Sequence, residues 1–145
     1  MSIYLEHANL TVPDIDQAID FLQALEPGFR VRHDQTEQLA NGQRRWVHVG
    51  NENVYIALQQ AEPGSQPQMP RRTYENYGIN HLGWVVDDLD AVMSRLNQRG
   101  YKLSLLISNE PFRRRAYYHD AAGFEWEMIQ YLSDNNEERN AYESA

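Results

Sequence analysis

Apolar and polar positions follow one fixed order along this chain, and then the order repeats. "IYLEHANLTV" (3–12) alternates and predicts a strand with mixed faces. "PDIDQAIDFLQAL" (13–25) sets Ile15, Ala18, Ile19, Leu22 and Leu25 at helical spacing behind Asp14, a residue suited to cap a helix. "PG" at 27–28 stops that helix. Three strand candidates follow, "FRVRHD" (29–34), "RRWVHVG" (44–50) and "NVYIALQQ" (53–60), split by the turn signals "ANG" and "GNEN". Residues 61–78 hold three of the six prolines and no period, which predicts a linker. The pattern then restarts. "INHLGWVV" (79–86) predicts a strand, and "DLDAVMSRLNQRG" (88–100) a helix with Asp88 as cap and Gly100 as stop. "YKLSLLI" (101–107), "RRRAYYHD" (113–120) and "GFEWEMIQYL" (123–132) predict three more strands.

The restart is a repeat. With His81 laid on His7 the offset is 74 (81 − 7), and Val86, Asp88, Asp90 and Leu96 then fall on Val12, Asp14, Asp16 and Leu22. The hairpins align at 70 (114 − 44), which lays Arg114 on Arg44, Tyr117 on Val47 and Glu127 on Ala57. Each half is thus one strand–helix–three-strand unit. One helix covers one face of a four-stranded sheet and leaves the other bare. Two such units are expected to pair about a pseudo-two-fold axis, curl, and enclose a cleft. The fold class is α+β: two paired βαβββ modules forming a curved-sheet cup. The modules are expected at 3–60 and 79–132 of one domain spanning 1–132, with 133–145 an acidic tail, a loose end or a frayed helix.

Composition narrows the function. The net charge of −8 argues against nucleic acid, which favours a basic face. There is no cysteine, so disulfides and thiolate metal sites are excluded. No basic-then-apolar leader opens the chain and no window nears the ~20 apolar residues of a membrane span. No membrane role and a cytoplasmic location are the expectation.

Strand parity places the candidate chemistry. His7, Asn9 and Thr11 share one face; His81, Gly83 and Val85 share the equivalent one. In the last strand Glu125, Glu127 and Ile129 face one way, while Phe124, Trp126 and Met128 offer the helix an aromatic surface. His7, His81 and Glu127 therefore converge on the bare side. Two imidazoles and a carboxylate suit a divalent ion and leave positions open for water and substrate. A single strand histidine is more often a hydrogen-bonded structural residue; it is the repeat that favours a site. His33, His48 and His119 fall outside the repeated positions and read as surface or structural. By parity Arg115 and Tyr117 share one face, with Arg45 and Val47 on the corresponding one. An inward arginine there grips an anionic group, although arginines on hairpin strands more often face solvent or discourage edge pairing. Trp46 and Trp84 read as core, and Tyr55 as lining the cup with Ala57.

With these residues in place, the sequence resembles the vicinal oxygen chelate superfamily, which holds glyoxalase I, extradiol dioxygenases, fosfomycin-resistance enzymes and bleomycin-binding proteins. The resemblance spans about residues 3–132 and is carried by "LEHANLTVPDIDQAIDFL", "GINHLGWVVDDLDAVMSRLNQRGY" and "HDAAGFEWEMI", the last with an Asp-x-x-Gly turn before its glutamate. It implies the glyoxalase-like fold, with His7, His81 and Glu127 as metal ligands. The position of the second glutamate of glyoxalase I holds Ala57 here. The remaining two-histidine, one-glutamate set is similar to that of the extradiol dioxygenases and the fosfomycin-type transferases.

The expectation is a metal-dependent enzyme, dioxygenase-like or lyase-like, that chelates the oxygens of a small molecule. Its cofactor is one divalent ion (Fe, Ni, Zn or Mn), its catalytic groups are Glu127 and Tyr117, and Tyr55, Arg115 and Asn9 line the substrate pocket. A homodimer is expected. The alternative is a metal-free protein that binds a small molecule or an antibiotic.

Overall fold

The computed structural model describes residues 2–67 and 70–142. The chain divides into two compact units, Met1–Pro70 and Arg71–Ala145. The division falls inside the proline-rich stretch 61–78, of which Gln68 and Met69 lie outside the described residues, as do residues 143–145 of the acidic tail.

Unit 1 runs β1 (His7–Thr11), α1 (Ile15–Leu25), β2 (Arg30–Leu39), β3 (Gly42–Gly50) and β4 (Tyr55–Gln59). Unit 2 runs β5 (His81–Val85), α2 (Leu89–Gln98), β6 (Leu103–Ile107), β7 (Arg113–His119) and β8 (Glu125–Tyr131), followed by one helical turn, α3 (Asn136–Arg139). The sheets have the same order, β1-β4-β3-β2 and β5-β8-β7-β6, with a parallel pair between first and last strands. Both helices start on the expected aspartates: Asp14 accepts from Gln17 N and Asp88 from Ala91 N, each at 3.0 Å. Burial follows parity. Leu10, Ile56, Leu58, Val47 and Val49 form the helix side of unit 1, and Trp126, Met128, Ala116 and Tyr118 that of unit 2. Trp84 stacks on Trp126 on that same side, at 6.3 Å.

The main departure in element length is β2. It continues through "QTEQL" to Leu39, where polar, largely exposed residues give no apolar alternation to read. The hairpin alignment needs a one-residue correction. β4 and β8 do align at 70, since Asn9 pairs with Ala57 where Gly83 pairs with Glu127. β3 and β7, however, align at 69: Val47 pairs with Leu58 where Ala116 pairs with Met128. Arg114 therefore matches Arg45 (114 − 45 = 69). The ion pairs agree, because Arg45 meets Asp16 and Arg114 meets Asp90, the same helix position in each unit. A one-residue slip flips every side chain to the other face. The face matching Arg115 and Tyr117 thus carries Trp46 and His48, not Arg45 and Val47, and Trp46 leaves the core for the open side. Even the bulges coincide. Arg32 is the extra residue between Val31 and His33, and Ser104 the extra residue between Leu103 and Leu105.

Candidate functional site

In unit 2 the site is built by the turn before β8. Gly123 takes a φ of +88°, which a side chain disfavours. The Asp120 carboxylate accepts from Ala122 N (2.9 Å), Phe124 N (3.0 Å) and Trp126 Nε1 (2.9 Å). Burial pushes the Asp120 carboxyl up, and these hydrogen bonds oppose the shift. The turn fixes where β8 starts and hence which residues face the helix. Trp126 and Met128 go under α2; Glu125 and Glu127 go to the open face, yet both are buried.

Buried carboxylates require partners. Glu127 Oε2 lies 3.0 Å from His81 Nε2, and its Oε1 3.4 Å from Arg115 Nη1. Arg115 is held in turn by Glu110, through Nε at 2.9 Å and Nη2 at 3.0 Å, and it donates from Nη1 to the Tyr117 hydroxyl at 3.0 Å. Burial, then hydrogen bonding to and the charge of Glu127, push the Tyr117 phenol up to about 12. Tyr117 therefore keeps its proton at neutral pH. His81 Nδ1 lies 2.7 Å from Asn80 Oδ1. Gly83 lies opposite Glu127 in the ladder, and a Cβ there would stand 3.4 Å from Ile129 Cδ1 and 4.0 Å from Glu127 Oε2. Glu125 accepts from the Tyr74 hydroxyl at 3.3 Å, and His119 Nε2 stands 3.6 Å from it.

In unit 1 the same face carries rings. His7 stacks on Tyr55 with centroids 4.8 Å apart, and Tyr55 on His48 at 4.5 Å. Trp46 lies 5.1 Å from His48, and His33 lies 4.6 Å from Trp46. His7 Nδ1 is 3.0 Å from Glu6 Oε1. Asn9 donates to Gln59 at 3.3 Å. Ala57, where the carboxylate of Glu127 has its counterpart, sits between Asn9 and His48 in the ladder.

Of the residues expected from sequence, His81, Glu127, Tyr117 and Arg115 meet within unit 2, while His7, Asn9 and Tyr55 share the open face of unit 1. Among the described residues, no three or more His, Asp or Glu side chains gather closely enough to hold an ion. Within unit 2, His81 and Glu127 supply two donors at a spacing that fits one. Sequence reasoning missed Glu110, Asn80, Arg32 and the place of His48. Glu110 sits just outside a strand, where no period marks it, and Asn80 falls within the predicted strand 79–86, although β5 starts only at His81. His48 was masked by the one-residue slip in the hairpin.

Among the described residues, no helix is long and apolar enough to cross a membrane. No curated protein matches the chain. Solved structures do. A glyoxalase family protein from Bacillus cereus matches at 16% identity over 92% of this chain and 97% of its own, with a TM-score of 0.73. The fosfomycin resistance protein FosX from Mesorhizobium loti matches at 20% identity over 96% and 98%, with a TM-score of 0.67. TnmS3, an antibiotic binding protein from Streptomyces sp. CB03234, matches at 25% identity over 90% and 98%, with a TM-score of 0.58. These likenesses support the glyoxalase-like fold of two βαβββ modules. The model of the Glyoxalase/Bleomycin resistance protein/Dioxygenase superfamily matches residues 6–122. The chain belongs to that superfamily, the vicinal oxygen chelate group.

Proposed function

We propose that the chain is a metal-dependent enzyme acting on a small oxygenated molecule, dioxygenase-like or lyase-like, with His81 and Glu127 as metal ligands and His7 as the third. One observation carries this reading: both ring nitrogens of His81 face oxygen atoms, Asn80 Oδ1 at 2.7 Å and Glu127 Oε2 at 3.0 Å. A neutral imidazole has one N–H. With Nδ1 donating to Asn80, the Nε2 lone pair meets a carboxylate oxygen, a contact made favourable by a second ring proton or by a cation that the two donors share. A far nitrogen tied to a carbonyl oxygen is how metal-bound histidines are oriented. Two donors each about 2.1 Å from an ion, at right angles, lie about 3 Å apart.

The ion, when bound, supplies Lewis-acid stabilisation of negative charge on a substrate oxygen. Glu127 contributes the charge that retains it. Arg115 fixes the second oxygen of that carboxylate, and Glu110 fixes Arg115. Tyr117, protonated at neutral pH, donates a hydrogen bond or a proton beside Glu127 and does not act as a base there. Asn9, Tyr55 and Arg115 line the substrate pocket in this reading. The chain acts as a homodimer. Val85 and Leu105 of the open face of unit 2 are 62% and 50% exposed, an apolar surface that a second copy covers.

The second reading is a metal-free protein that binds a small molecule. It draws support from the Arg115 guanidinium, which already neutralises part of the Glu127 charge, and from the likeness to an antibiotic binding protein. Elemental analysis of untagged protein separates the two. Near-stoichiometric Fe, Ni, Zn or Mn in the wild type, lost in His81→Ala, is expected. No metal in either protein, even after incubation with divalent ions, overturns the metal reading and leaves the second.

A further inference from the structure

We infer that the open face of unit 1 binds the acidic group of a small organic anion, with Arg32 as the gripping residue and His48 and His33 beside it. The starting point is the bulge in β2. A bulged residue is left out of the ladder and its side chain is re-aimed. Here it is aimed inward along the sheet: the Arg32 guanidinium carbon lies 4.4 Å from the centroid of the Tyr55 ring.

Arg32 has no carboxylate partner among the described residues. The chain as a whole carries 21 acidic residues against 13 basic ones, and Arg71 and Arg139 likewise lie over rings, those of Phe124 and Tyr131. Arg30, Arg44, Arg45, Arg72, Arg113, Arg114 and Arg115 each sit within ion-pair distance of a carboxylate. A ring face takes up none of the conventional hydrogen bonds a guanidinium can make, so its planar fork stays available to an oxyanion. The Tyr55 ring and the guanidinium also hold one another in place, which lowers the entropy lost on binding.

Three imidazoles stand near Arg32. His7 and His48 stack on Tyr55, and His33 lies 6.2 Å from His48. Burial pushes His48 down, and the charges of His33, Arg32 and His7 push it further; Glu6 is the acid that opposes them. Unit 2 makes the contrast. The matching positions there hold Ser104 for Arg32, Leu105 for His33, Tyr117 for His48 and Glu125 for Tyr55. The repeat has kept the backbone and changed the side chains: Glu125 and Glu127 stand on the open face of unit 2 where Tyr55 and Ala57 stand in unit 1. The ligand class that follows is a small molecule carrying a carboxylate, phosphonate or phosphate. The inference deepens the small-molecule reading above but does not depend on a metal.

The test uses the full chain stripped with a chelator, with sodium phosphate and sodium benzoate as probes and sodium chloride at equal ionic strength as the control. Histidine Cε1–H resonances report the response. Millimolar phosphate and benzoate are expected to shift His48 and His33 saturably and to raise the titration midpoint of His48, and chloride is not. Arg32→Ala is expected to weaken both anions at least tenfold, and Arg32→Lys to keep part of the affinity. Arg32 is exposed, so an unchanged circular dichroism spectrum is expected for both variants. The same titration on His81→Ala separates this inference from the metal reading: a response retained there stands whatever the metal analysis gives. Equal shifts from chloride, or an undiminished response in Arg32→Ala, mean an adventitious ion only and overturn the inference.

Discussion

Glu110 shows how much of this site depends on a residue outside every strand. Its carboxylate accepts from Arg115 Nε and Nη2, and from Arg113 Nη2 at 3.3 Å. Burial pushes it up, but the hydrogen bonds and charges of Arg115 and Arg113 outweigh burial and bring it below its ordinary 4.5. The sign follows from linkage. A carboxyl lowered in the folded state contributes stability above its unfolded value, and that contribution is lost as pH falls through the folded value. Chemical unfolding between pH 6 and about pH 3 is therefore expected to show an acid-side loss of stability that Glu110→Gln flattens. An unchanged acid limb in that variant would count against the clamp. The sequence made the partners of Glu127 legible by parity, because His81, Arg115 and Tyr117 all lie on strands. It did not reveal Glu110, since a loop residue has no period to place it and its role exists only once the chain has folded back; Asn80 falls in the predicted strand, but parity puts it on the face opposite His81 and gives no sign of its contact with the His81 ring.

The helices were the most legible elements, and the reason is local. Asp14 and Asp88 each satisfy an amide that the helix itself leaves unpaired. Asp14→Ala and Asp88→Ala are each expected to cost about 1 kcal/mol in urea unfolding. The two aspartates share no partner, so the double variant is expected to cost about 2 kcal/mol. The strands were legible in existence and less so in register. β2 lost its polar half to the eye because an exposed strand need not alternate. The β3–β7 match slipped by one because both hairpins carry runs of arginine, "RR" and "RRR", and either pairing of such a run looks correct in one dimension. The ion pairs from Arg45 and Arg114 to equivalent helix positions settle it in three.

On the scale of the whole molecule, the apolar residues of the open faces carry the remaining prediction. Light scattering is expected to give twice the monomer mass for the wild type. Leu105→Glu, which places a charge on a half-exposed position of β6, is expected to give the monomer mass with the far-ultraviolet spectrum unchanged. A wild-type monomer would remove the homodimer from the proposal.

The offsets between the units also describe what each connection tolerates. The match is 74 at the first strand and helix, 72 at the bulged strand, 69 at the third strand and 70 at the last. Each change of offset falls in a connection, and none falls within a paired element. The hairpin that differs by three residues is the chain's own record of where length is free, whereas the connection after Gly50 differs by one. There a Cβ would stand 2.2 Å from Val54 O. A loop graft, a peptide tag or a fluorescent probe belongs at the tip around Asn41 and Gly42, where the second copy shows the ladder survives without the extra residues, and not at residues 51–54.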